Sequence, residues 1–77
     1  MAKKENNDWN YLVVKHSWWL GDPTFWVDFP VYGEFISLGA AEVCAEHHLV
    51  AHQEHGCSGV ELHIRDRWNR TVETYHT

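Results

Sequence analysis

Gly21-Asp22-Pro23 is a turn signal, and it separates two runs in which side chains of opposite character alternate. Over residues 11–20, Leu12, Val14, Trp18 and Leu20 share one face with His16, and Tyr11, Val13, Lys15, Ser17 and Trp19 share the other. Over residues 24–32, Phe25, Val27, Phe29 and Val31 point one way and Thr24, Trp26, Asp28, Pro30 and Tyr32 the other. A period of two suits a strand and not a helix, so the pattern predicts a β-hairpin. Pro30 has no amide proton to give to a ladder, which places it at an edge or at a strand end.

The periodicity then changes. Leu38, Ala41, Ala45 and Leu49 follow the i, i+3, i+4 spacing of a helical face that packs on a sheet. Ser37 is the expected N-cap, because its hydroxyl can accept from a free amide of the first turn. The helix is expected to reach about residue 55, with Gly56 taking the left-handed position after its end. Glu42, Glu46 and Gln53 fall on the opposite side and are expected to be solvated. Residues 59–68 alternate again, with Val60, Leu62 and Ile64 against Glu61, His63 and Arg65, and residues 71–76 can add a short fourth strand.

These segments predict an α+β fold: a small antiparallel sheet of three or four strands, in β-β-α-β(β) order, with one helix on one face. Residues 1–8 are polar and read as a flexible tail, and 9–77 as one domain. A chain of 77 residues has room for one domain with a thin core. Its net charge of −5 disfavours a generic nucleic-acid binder and suits a basic protein surface. Two cysteines are too few for a disulfide framework. No apolar run approaches the ~20 residues needed to cross a bilayer. The start at Met1 leads into polar residues rather than a signal peptide, so the expected location is a cytoplasm.

Three features can carry chemistry. Cys44, His48, His52 and His55 lie within an arc of about 80° on the expected helix, and Cys57 follows its end. Thiolate and imidazole ligands together favour Zn, which makes Cys44, His48, His52 and Cys57 a candidate structural metal site. The same arc overlaps the apolar stripe, so the alternative is a set of half-buried residues flanking the core. The second feature is the helix-free face, where Tyr11, Trp19, Trp26 and Tyr32 are expected beside Arg65 and Arg67. Aromatic and Arg side chains anchor protein interfaces, and they also stack single-stranded bases. The third is the charge around that face: Asp28 and Glu34 at the second strand, and Arg65 and Arg67, two apart on the third and so expected on the same side. There is no nucleophile–base pair in a recognisable setting and no Gly-rich phosphate loop.

The stretch Asp28-Phe29-Pro30-Val31-Tyr32-Gly33-Glu34 resembles the hallmark segment of the small inhibitor of bacterial RNA polymerase made by autographiviral podophages. An Ala-rich helix follows in both, then Gly59-Val60-Glu61-Leu62, then an Arg-x-Arg closure at Arg65-Asp66-Arg67. The resemblance covers about residues 16–68 and implies the same β-β-α-β order. It implies a protein that is not an enzyme. It also implies binding to the jaw of the polymerase's largest catalytic-side subunit, in the downstream DNA channel, together with the sigma factor's acidic N-terminal region. On that resemblance Arg65 and Arg67 make the main contacts to polymerase carboxylates, supported by Asp28 and Glu34.

Overall fold

The computed structural model describes residues 9–19 and 22–77, with the side chains of residues 18, 19, 22 and 23 also outside the description. The elements are β1 (Tyr11–Trp19), β2 (Asp22–Phe35), α1 (Leu38–Glu54), β3 (Glu61–Asp66) and β4 (Thr71–His76). They form one antiparallel sheet in the order β2-β1-β3-β4. The expected α+β architecture is therefore present, and the fourth strand forms. The tail at 1–8 lies outside the described residues. β2 takes in Asp22 and Pro23, which the sequence placed in the turn, and runs three residues past Tyr32.

α1 begins where its cap dictates. Ser37 has extended backbone and its Oγ accepts from the Ala40 amide at 3.2 Å. At the other end, the amide of Gly56 donates to Gln53 O and that of Cys57 to His52 O, the paired bonds of a Schellman motif. That motif requires a left-handed residue, and Gly56 has φ of +74°.

The helix covers one face of the sheet. Val13 of β1 lies opposite Ile64 of β3, and Ala41 and Ala45 close over them; all four are fully buried. The two alanines let the helix backbone approach the strands closely. Leu38, Tyr11, Tyr32, Phe35, Cys44 and Tyr75 pack around this centre. Glu46 and Gln53 are solvated as expected, but Glu42 is half-buried beside Glu73 of β4.

Two bulges in β2 decide which of its side chains face the helix. Val14 and His16 of β1 pair with Val31 and Asp28, so three residues of β2 are set against two of β1. Val13 and Val14 pair with Gly33 and Val31, leaving Tyr32 as an extra residue. The first bulge contains the cis Phe29–Pro30 peptide. Each bulge shifts the alternation by one residue. Trp26 and Asp28 thus lie on the helix-free face with His16, whereas Tyr32 turns to the helix. Tyr11, expected on the helix-free face, also packs beneath the helix. The side chain of Trp19 is outside the described residues.

Candidate functional site

The helix-free face of β1, β2 and β3 carries a connected polar cluster. Register sets His16 of β1 opposite Asp28 of β2 and brings Val14 opposite His63 of β3. The His16 ring stacks on Trp26 at 4.4 Å between centroids and on His63 at 4.3 Å. Arg65 reaches across them: its Nη2 lies 3.1 Å from Asp28 Oδ1, 2.9 Å from His63 Nδ1 and 3.3 Å from His16 Nδ1.

The hydrogen-bond roles follow from the fact that a guanidinium only donates. His63 presents the lone pair of Nδ1 to Arg65, so its Nε2–H donates to Glu61 Oε1 at 2.8 Å. His16 Nδ1–H donates to Asp28 Oδ1 at 2.7 Å. Its approach to Arg65 is then a contact and not a hydrogen bond. Arg65 is largely buried, with 14% of its side chain exposed, and its Nε has no hydrogen-bond partner among the described residues.

This arrangement divides the two arginines that the sequence paired. Arg65 is an internal member of the cluster. Arg67 lies past the end of β3, exposed in the turn to β4, where strand alternation no longer sets its side. The two therefore do not make a fork on one strand face. Asp28 is the carboxylate partner of Arg65, and Glu34 is exposed near the end of β2.

The β3–β4 turn is built on Asp66. Its Oδ1 accepts from the amides of Trp68 and Arg70, both at 2.9 Å, and its Oδ2 accepts from Arg70 Nε at 2.8 Å. The Asp66 amide donates to Arg70 O, and the Asn69 amide to Asp66 O. Asn69 takes the left-handed conformation at φ of 61°, which Asn tolerates better than most residues. Burial pushes the Asp66 carboxyl up. The Arg70 amide and guanidinium and the Trp68 amide outweigh that effect and hold it below the usual carboxylate range. The locked turn displays Arg67, Trp68 and Arg70. Trp68 is 73% exposed, with the Arg70 guanidinium 5.2 Å from its ring centroid. Together with Tyr11 and Asn10 these residues line an open cleft of about 330 Å³. Sequence reasoning missed Trp68 and Arg70. The usable signal was an Asp followed three residues later by Asn, a turn pattern.

The expected Zn set does not assemble. Among the described residues, the one group of three or more His, Cys, Asp or Glu with ligand atoms within 4.8 Å of one another is His16, Asp28 and His63. Cys44 packs against the core, and burial pushes its thiol up, away from the thiolate that a metal needs. His48 stacks on Tyr32 at 4.0 Å, and His52 Nε2 hydrogen bonds to the Tyr32 hydroxyl at 2.9 Å. His55 and Cys57 are exposed at and beyond the helix end. The helical histidines thus hold the bulged Tyr32, which is the half-buried alternative. The stacking platform for single-stranded bases is also reduced. Tyr11 and Tyr32 face the helix, and Trp26 stacks on His16.

The burial of His48 makes stability depend on pH. Burial and the neighbouring His47 and His52 push the His48 pKa below its ordinary value of 6.5. A folded-state value below the unfolded one means that the unfolded chain binds the proton more readily. This contribution is present above about 6.5, the unfolded value, and is lost as pH falls from there through the lower folded-state value. The neighbouring Glu42 and Glu73 contribute with mixed sign, because their interaction raises the Glu42 carboxyl and lowers that of Glu73. Comparison with His48→Gln isolates the histidine. We expect the urea midpoint of the native chain to fall more between pH 7.5 and 5.5 than that of the variant. Equal falls would remove His48 as the cause.

No family model, curated protein or solved structure matches the chain. No helix among the described residues is long and apolar enough to cross a membrane.

Proposed function

We propose that the protein is a phage-encoded binding module that docks on bacterial RNA polymerase in the host cytoplasm and inhibits transcription initiation by protein–protein contact. Its anchor on this reading is the Arg67–Trp68–Arg70 turn. The observation that supports it is the hydrogen bonding of that turn. One buried carboxylate, Asp66, fixes an exposed Trp between two exposed arginines. Trp and Arg are the side chains that most often dominate interface energies. Presenting them in a preformed turn lowers the ordering cost of binding.

Charge adds to the argument. The chain is acidic overall, yet two of its six Lys and Arg residues stand in this turn. The net negative charge favours approach to a basic channel built for DNA, and the two guanidinium groups grip carboxylates within it. The resemblance assigns the contact to Arg65 and Arg67. The internal engagement of Arg65 moves that role to Arg67 and its neighbours, with Arg65 and Asp28 supporting the sheet beneath. The jaw of the largest catalytic-side subunit, approached together with sigma factor, is the surface that the resemblance suggests.

The test is binding of the fluorescently labelled chain to polymerase holoenzyme. Trp68→Ala and Arg67→Glu are compared with the native chain after circular dichroism shows that both fold. Each substitution is expected to weaken binding about 30-fold or more, as at an interface hot spot. Native-like binding by both variants would exclude this turn as the anchor. Absence of native binding to holoenzymes from several bacteria would exclude the polymerase as target.

A further inference from the structure

We propose that His16, Asp28 and His63 form a binding site for a divalent transition-metal ion of the Zn type, whose place is held by the guanidinium of Arg65. This inference is independent of the polymerase reading and concerns a different part of the sheet from the Trp68 turn.

The donor set is two imidazoles and one carboxylate, a common ligand set for first-row divalent ions. His16, Asp28 and His63 each offer a ligand atom within 4.8 Å of the others, on three neighbouring strands of one sheet. A position shared by three such groups is already selected for a cation, because Arg65 Nη2 sits 2.9–3.3 Å from His16 Nδ1, Asp28 Oδ1 and His63 Nδ1. The cation it holds there is imperfectly satisfied, since the buried Arg65 Nε has no hydrogen-bond partner among the described residues.

The surroundings supply a second, separate argument. A metal-binding imidazole commonly donates its remote N–H to a carboxylate, which fixes the tautomer and raises the basicity of the ligand nitrogen. His63 already does so: Nε2–H donates to Glu61 Oε1 at 2.8 Å, leaving the Nδ1 lone pair aimed into the cluster. His16 needs one adjustment. Its proton moves from Nδ1 to Nε2 by exchange with solvent, the ring stays neutral, and Nδ1 becomes a ligand. Entry of the ion also requires Arg65 to swing out and the two stacked rings to turn until their lone pairs converge at about 2.0–2.1 Å from the metal. His16 stacks on Trp26, so this turn alters the surroundings of the indole and its fluorescence.

Arg65 thus makes the native site weak, and its removal makes it strong. The experiment is calorimetric titration of tag-free protein with Zn²⁺, repeated with Co²⁺ to read the ligand-field spectrum. Arg65→Met retains the volume of the side chain stem and removes the charge. It is expected to bind one ion about tenfold or more tightly than the native chain, because a positive charge a few ångströms from the ion is gone. Adding His63→Gln to Arg65→Met abolishes this binding, and adding Glu61→Gln weakens it about tenfold. The variant His48→Gln/His52→Gln leaves it unchanged, which separates the site from the helical histidines. Should Arg65→Met not fold, the native chain decides: Zn²⁺ at millimolar concentration changes the Trp fluorescence of the native protein and not that of His63→Gln. Equal affinity in native and Arg65→Met proteins would overturn the proposal. So would binding that survives His63→Gln, or no fluorescence response in the native chain where that measurement decides.

Discussion

Replacing Ile64 with Ala is expected to cost about 2–5 kcal/mol, the range for truncating a fully buried aliphatic side chain. Total stability for a chain of 77 residues is roughly 4–10 kcal/mol, so the variant is expected to retain about half its stability. Ile64 has no exposure, lies opposite Val13, and is roofed by Ala41 and Ala45. Two alanines have no side chain with which to fill the space left by Ile64, and the strands on either side are held by their ladders. The cavity therefore persists and its cost adds to the lost transfer energy. Urea denaturation measures the effect, and Val72→Ala on the exposed part of β4 serves as a control expected within about 0.5 kcal/mol of native. A loss below about 1 kcal/mol for Ile64→Ala would mean that the helix settles onto the sheet and closes the gap.

Asp28→Ala is expected to destabilise the fold by about 1–3 kcal/mol, because it strips a largely buried guanidinium of its carboxylate partner. It also leaves His16 Nδ1–H without its acceptor. The cost belongs mainly to what remains behind. Combining Asp28→Ala with Arg65→Met removes the uncompensated charge along with its partner, and it is expected to recover most of the loss. The double variant would then be more stable than Asp28→Ala alone, a clear departure from additivity measurable by a double-mutant cycle. Additive losses would show that Arg65 finds water or another partner when Asp28 is gone. The result bears on function as well. A strong coupling would tie Arg65 to the interior of the cluster, leaving Arg67 and Arg70 to meet a partner.

The element pattern was legible because it rests on local physics. Alternation needs only neighbouring residues to share a pleat, the Ser37 cap needs only the first helical turn, and Gly56 needs only its own backbone freedom. The helix stripe through Ala41 and Ala45, the buried Val60, Leu62 and Ile64, and the order of elements all follow from such rules. The sites were not legible in the same way. Tyr32 and Trp26 occupy positions of equal parity in β2, and alternation alone puts them on one face. Bulges opposite β1 send them to different sides, and a bulge is a property of two strands in register, not of one. Cys44, His48 and His52, close in sequence, were likewise spent on packing and on Tyr32. Asp28 and Arg65 were expected around the same sheet face, but nothing local joined His16 and His63 to them, because the four residues lie on three different strands. By itself the sequence determined where strands and helix form and which face of the helix and of β3 is apolar, since backbone preference and periodicity act within a few residues; in β1 and β2 it did not fix which face meets the helix. Only the tertiary structure decided which polar groups meet, because charge pairing, stacking and ligand convergence depend on register between strands that the chain brings together over dozens of residues.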